Sequence, residues 1–505
     1  MNKLLIAFAI TQLFFKTSVA QNAVLHIAVA NSTSHSCYIA NHNGFTFDYL
    51  KKGGDEVTLS KEYTATYTFD LSEPQFITLY CNKDTVSRNF LKFTFFVSPG
   101  DDILFKADFA KKGNEFVVTG KGANNNQPLL GGMLSTDMQS FYGDTIPNRI
   151  IAVIKQQEKN YQTAVAAYYE KYKPTATFIK ATNSNLAYYA ISAYYEFKEE
   201  NKFRIREAYD RNFSKWKVIT DSLFKQVKLN NSDAINSKTY SYLIRTFLTR
   251  EKERLWNESN KNPMTFYKEW YNTDTTSGKK LFNEDQQNLL KEKIINKQFS
   301  GKAAEYLYGV LFDEAMNESD PKNVAAIFNR FKQQYPDSRY IEWFGPSVDA
   351  MVKRLQQGLT AEMIFVTDNG TKLNTFDEVL ALNKGKTILL DMWGTWCGPC
   401  RKEIGKNSAA IKEHFKDRGL SYVYIANSDT KHEKEWKSLI AYFDLKGTHI
   451  LANSSLSQDI MTKVGGRAYP TYVVIKKDGT YEQSKAGYPM KRDVLIKQLE
   501  DALAQ

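Results

Sequence analysis

Two cysteines three residues apart, Cys397 and Cys400, are the residues of this 505-residue chain best suited to chemistry. The spacing spans about one helical turn, so on a helix both sulfurs lie on one face and can close a disulfide. Upstream, Thr387 to Trp393 is an apolar run with the Ile and Leu content of a buried strand, interrupted only by Asp391. A short turn follows, and a helical pattern begins at the cysteines. Cys397 is therefore expected at a helix N-terminus, where unpaired N–H groups stabilise the thiolate that attacks disulfides. It is expected to be the exposed nucleophile, with Cys400 as the partner that closes the ring.

A lone C-x-x-C can also be half of a zinc site. No second pair of this kind occurs, and His414, His432 and His449 form no metal-ligand pattern with the first. Pro399 between the cysteines suits the first turn of a helix. A redox turn with no metal is the expectation.

These residues carry a resemblance. Trp396-Cys397-Gly398-Pro399-Cys400 after an apolar strand looks like thioredoxin, and the longer form from Trp393 to Glu403 resembles the TlpA/ResA-like thiol-disulfide oxidoreductases of bacterial envelopes. The likeness covers about Ala361 to Gln505. It implies that Asp391, six residues before Cys397, is the buried carboxylate that relays a proton to and from the second cysteine. It also implies that Tyr469-Pro470-Thr471 is the cis-proline loop, which faces the disulfide and offers backbone groups to a bound peptide. Asn427-Ser428-Asp429 after a strand and Lys477-Asp478-Gly479 as a final hairpin turn fit the same pattern. Gly405 departs from it, since the family usually has a proline five residues after the second cysteine. Glycine weakens a helix without forcing a kink, which leaves the helix direction beyond Gly405 open.

The resemblance gives the other residues their roles. Asp391, inside an apolar strand, should have a raised pKa suited to proton transfer near neutral pH; the competing reading is a carboxylate held for structure alone. Trp396 reads either as a shield for the disulfide edge or as a packing residue. A cis bond before Pro470 would turn Tyr469 toward an extended partner segment, which pairs like an added strand. Arg467 and Tyr469 read as tuning partner choice or as solvent-facing.

The elements around the site point to three regions after a leader. Residues 1–20 read as a cleaved signal peptide: Lys3, an apolar core from Leu4 to Phe15, and Ser18-Val19-Ala20 as a small-residue cleavage site. No cysteine follows that point directly, so no lipid anchor is expected, and the chain reads as exported to the periplasm or cell envelope. Residues 21–122 alternate apolar and polar, as in Tyr63 to Phe69, Phe45 to Tyr49 and Phe93 to Phe95, with turns at Gly53-Gly54, Asn82 to Asp84 and Pro99 to Asp101. Eight or nine short strands suggest a β-sandwich. Cys37 and Cys81 fall in two of its strands and read equally as a structural disulfide or as two buried thiols.

Residues 123–360 switch to helix after a polar, glycine-bearing linker from Gly120 to Pro128. Helical periods run through Ile150 to Tyr172, Leu186 to Glu200, Ser214 to Val227, Ala234 to Leu255, Lys302 to Met316 and Pro321 to Tyr335. Asp320-Pro321 reads as a helix start with the acid as cap. The tyrosine doublets Tyr168-Tyr169, Tyr188-Tyr189 and Tyr194-Tyr195 read as packing residues rather than a ligand groove. Pro321 to Gln357 resembles a tetratricopeptide-like hairpin without a recurring period. Residues 361–505 alternate strand and helix and close the chain as an α/β thioredoxin-like domain.

The net charge of +11 is spread over lysines interleaved with acids, without a basic run, so nucleic acid is not an expected partner. The family likeness implies a protein-disulfide client, no cofactor beyond the redox-active disulfide, and a membrane electron donor. Gly-Pro between the cysteines resembles reducing thioredoxins, which favours a periplasmic reductase. A disulfide oxidase or isomerase, and a ligand-binding envelope protein with a redox switch, are the competing readings.

Overall fold

The computed structural model describes residues 21–41, 55–71, 73–84, 90–112, 115–127 and 138–505. The signal-peptide reading and the Phe45 to Tyr49 alternation lie outside these residues. The chain divides into two compact units, one of residues 1–250 and 298–306, the other of 251–297 and 307–505.

In the first unit, β1 (Gln21–Ala30), β2 (Ser36–Asn41), β3 (Asp55–Thr58), β4 (Thr64–Leu71), β5 (Gln75–Asn82), β6 (Phe90–Val97), β7 (Asp102–Asp108) and β8 (Phe116–Lys121) form two four-stranded sheets. Their orders are β4-β1-β7-β8 and β3-β2-β5-β6. Alternate residues of both sheets, among them Leu25, Ile27, Ile39, Leu79, Phe95 and Phe105, share one core, as period-two alternation requires. Cys37 and Cys81 lie directly opposite each other on antiparallel β2 and β5.

Helices follow: α1 (Pro147–Tyr172), α2 (Ala176–Arg211), α3 (Phe213–Phe224) and α4 (Lys238–Lys261). Tyr168, Tyr188, Tyr189, Tyr194 and Tyr195 are buried; the Tyr188 ring packs tilted against Tyr240 with centroids 4.7 Å apart, and Phe76 and Phe96 of the sheet pack with Tyr168 and Phe178. Within the stretch read as a polar linker, two asparagines bond to neighbouring elements. Asn126 Oδ1 accepts from Phe96 N at 2.7 Å, and Asn125 Oδ1 accepts from Thr175 N at 2.9 Å. Both asparagines are buried, and burying them is tolerable because their amide groups are satisfied.

The second unit holds α5 (Pro263–Tyr271), α6 (Thr275–Glu284), α7 (Asn288–Gln298), most of α8 (Gly301–Asn317), α9 (Val324–Gln334) and α10 (Arg339–Leu355). Asp320 does not cap a helix as its sequence context suggested. α9 begins later, with Asn323 as its N-cap residue, while Asp320 Oδ1 accepts from Lys322 N at 3.2 Å ahead of the helix and its Oδ2 is engaged elsewhere.

The remainder is a six-stranded sheet in the order β14-β13-β10-β11-β12-β9. Its strands are β9 (Met363–Phe365), β10 (Thr387–Trp393), β11 (Leu420–Asn427), β12 (Gly447–Ala452), β13 (Thr471–Ile475) and β14 (Tyr481–Gln483). Its helices are α11 (Phe376–Leu382), α12 (Gly398–His414), α13 (Glu433–Tyr442), α14 (Ser454–Val464) and α15 (Arg492–Leu503). Every residue of β10 is buried, because the strand runs parallel to β11 and antiparallel to β13 with helices on both faces. Leu390 and Met392 enter the core with α11 and α14; Leu389 enters the one with α12 and α15. Asp391 shares the face of Leu389, toward the cysteine helix. This is the α/β thioredoxin-like arrangement, with β10 delivering the chain directly into the redox turn. No helix among the described residues is long and apolar enough to cross a membrane.

Candidate redox site

Cys397 and Cys400 are joined in a disulfide with their Cα atoms 5.2 Å apart. Cys397 is the N-cap residue of α12, and its Sγ accepts from Cys400 N at 3.2 Å. A backbone N–H at a helix start is thus aimed at the sulfur that would carry charge after reduction. α12 then runs through Gly405 to His414 as one helix.

One expectation is corrected here: Cys397 is not exposed in the disulfide form but only 3% accessible. Trp396 is 54% exposed, donates its indole N–H to Asn427 O at 2.8 Å and sets its ring edge-on against Tyr469 at 5.7 Å. Tyr469 precedes Pro470 through a cis peptide bond, so the cis-proline loop and the redox turn are in contact through these two rings. A second cis bond, Tyr488–Pro489, was not foreseen. Arg467 is exposed.

Asp391 lies behind the turn, in register between Tyr424 of β11 and Tyr472 of β13. It is 5% exposed, and its Oδ1 has no hydrogen-bond partner among the described residues. Burial, reinforced by the neighbouring Glu403 charge, pushes its pKa up to about 8, while Lys412 pulls the other way. A cavity of about 30 Å³ adjoins it, lined by Asp391, Glu403, Asn407, Tyr422, Tyr424 and Tyr472 among others. That volume is about the size of one water, but its walls are mostly apolar, with Leu389, Ile404, Ile411 and Met490 completing the lining. Glu403 is buried and accepts from Asn407 Nδ2 at 2.8 Å and Met490 N at 3.3 Å.

The sequence reading gave Thr395, Arg401 and Asp429 no supporting role in the site. Asp429, in the loop after β11, accepts from Thr395 N at 2.7 Å and Thr395 Oγ1 at 2.6 Å. Burial raises its pKa, and the Thr395 bonds oppose that. Arg401, directly after Cys400, is buried and donates to Thr395 O and, at 3.1 Å, to Asp320. The turn before the disulfide is therefore held from two sides. The presence of Asp429 in the quoted loop was the available signal; its partner could not be read from the chain.

Cys37 and Cys81 are two buried thiols with their sulfurs 3.1 Å apart. The Cys37 contact and burial raise the Cys81 pKa. Among the described residues no group of three or more His, Cys, Asp or Glu side chains is arranged to hold a metal ion.

A buried carboxyl behind a helix-capping disulfide, faced by a cis-proline loop, defines a thioredoxin-fold redox module. Comparison with known proteins agrees: residues 362–502 match the Redoxin family model, so the C-terminal region is a Redoxin domain. The chain is 28% identical over 150 residues to a thiol-disulfide oxidoreductase ResA of Bacillus cereus, covering 28% of this chain and 76% of that protein. It is 25% identical over 111 residues to the thioredoxin-like protein YneN of Bacillus subtilis, covering 22% of this chain and 62% of YneN. Among solved structures it is similar to the thioredoxin domain of a thiol-disulfide oxidoreductase from Bacteroides vulgatus, with 22% identity, a TM-score of 0.21, and coverage of 24% of this chain and 82% of the other.

Proposed function

We propose that the chain is a periplasmic thiol-disulfide oxidoreductase that reduces protein disulfides through the Cys397/Cys400 dithiol. The observation that carries this reading is the Cys397–Cys400 disulfide itself, closed at the N-terminus of α12 with Asp391 buried behind it. Reduced Cys397 attacks one sulfur of a client disulfide, the other client sulfur leaves as a thiolate, and a mixed disulfide forms. In molecules whose Asp391 is ionised, a fraction that grows as the pH approaches about 8, Cys400 gives its proton to that carboxylate and attacks Cys397 Sγ, which releases the client as a dithiol and leaves the chain oxidised. A membrane electron donor restores the dithiol. Trp396, Tyr469 and Pro470 receive the client segment.

The reading includes a cleaved leader over residues 1–20, a β-sandwich over 21–122, a helical domain over 123–360 and the thioredoxin-like domain over 361–505. The names of the relatives support thiol-disulfide oxidoreductase chemistry, and the Gly398-Pro399 dipeptide, which resembles that of reducing thioredoxins, favours the reducing direction. In single-turnover reduction of a model protein disulfide, the reduced chain should release the client with two free thiols; Cys397→Ser should free none, and Cys400→Ser should stop at the mixed disulfide with one client sulfur freed and the client still attached. Release that persists without either cysteine would refute the reading. A Cys397–Cys400 disulfide that oxidises reduced clients, itself becoming the dithiol, would instead establish the oxidase alternative.

A further inference from the structure

The turn from Glu318 to Pro321, between α8 and α9, rests on the redox helix. Asp320 and Arg401 are both buried and paired at 3.1 Å, and Arg401 also holds Thr395 O, two residues before Cys397. Ser319 occupies the space beside Gly405, where a Cβ would overlap Ser319 Oγ. The departure from the family's proline is thus the seat of this turn. Glu318 comes next to the residue that follows Cys397, since a Cβ on Gly398 would lie 3.7 Å from Glu318 Oε2. Gly398 is the first residue of α12 and adjoins Cys397.

We propose that the Glu318–Pro321 turn tunes the redox site: Asp320 anchors it on α12 through Arg401, and Glu318 sets a negative charge beside Cys397 that disfavours its thiolate and makes the dithiol a stronger reductant. The inference rests on the oxidoreductase reading above and supplies a reason for its direction. Only the reduced form carries charge on sulfur, so a nearby carboxylate destabilises that form against the disulfide and makes the potential more negative. Glu318 and Glu314 of α8 also act on Lys252 of α4 and Lys291 of α7, and Asp320 acts on Lys291 as well. Glu318 and Asp320 are positioning residues and take no part in bond exchange.

The test uses the full chain and Glu318→Gln. Alkylation of Cys397 by iodoacetamide against pH should have its midpoint lowered by about 0.5 to 1 pH unit. The equilibrium constant against glutathione at pH 8 should move about threefold to tenfold toward the reduced chain, about 14 to 30 mV at 29.6 mV per tenfold. Gly405→Ala, which crowds Ser319, should shift both readouts the same way. Adding Ser319→Gly, at a φ of 48° that glycine adopts freely, should restore them. A purely structural turn would change stability and leave midpoint and potential alone. Unchanged or opposite shifts in Glu318→Gln would overturn the proposal. If the wild-type chain fails to reduce a protein disulfide, the oxidoreductase reading fails instead.

Discussion

Replacing Asp391 by Asn removes a carboxyl that the fold holds near pKa 8 against an ordinary value of 3.8. The folded chain keeps a proton on this group below about pH 8, whereas the unfolded chain keeps it only below about pH 4. Between these values the native state binds more protons than the unfolded state, so stability falls as pH rises through the window. At 1.36 kcal/mol per pKa unit the loss is about 5 kcal/mol by pH 8.5, and less than about 1 kcal/mol at pH 4. Asn, neutral at every pH, escapes this loss. Urea-dependent hydrogen exchange of peptides covering β10, in the oxidised full chain, should show Asp391→Asn more protected at pH 8.5 by several kcal/mol and nearly equal to wild type at pH 4. The same variant should resolve the mixed disulfide about a hundredfold more slowly, because Cys400 has lost its proton acceptor. Equal protection at both pH values would show that Asp391 is not a strained acid, and unchanged resolution would remove it from the relay.

Other outcomes follow from the same geometry. Cys400→Ser should accumulate a mixed disulfide between Cys397 and a client protein, visible on non-reducing gels and lost on adding dithiothreitol, and Cys397→Ser should give none. Trp396→Ala, which opens the contact with Tyr469, should raise the KM for protein disulfides several-fold while leaving reduction of a small disulfide near wild type. In chain isolated under oxidising conditions, Cys37 and Cys81 should be found joined by peptide mapping; the link closes a loop of 44 residues, and Cys37→Ser/Cys81→Ser should lose about 2 to 4 kcal/mol of stability in the β unit.

Much of the site is legible in the chain because its parts are local or sit at distinctive residues. The apolar run of β10 and the helix that starts at Cys397 follow from neighbouring residues, while Asp391 and the Tyr469-Pro470 turn follow from the family resemblance. What stayed hidden depends on contacts across long separations. Arg401 looks like one more surface base until Asp320, 81 residues earlier, is found beside it, and Asp320 in turn looks like a helix cap. Cys397 was expected to be open because nucleophiles must be reached, but the Trp396 indole bonded to Asn427 O lies beside the disulfide. β12 and α11 are short and gave no long periodic signal, so tertiary packing rather than local preference decides them. Gly405 registered as an anomaly, and only the position of Ser319 explains it.

The equilibrium potential of the Cys397/Cys400 couple in the full chain, measured against glutathione and dithiothreitol buffers, tests the central claim most directly. A reductase requires a value at or below about −200 mV, in the range of glutaredoxins and thioredoxin. A value near about −120 mV, that of a strong oxidant, would contradict it.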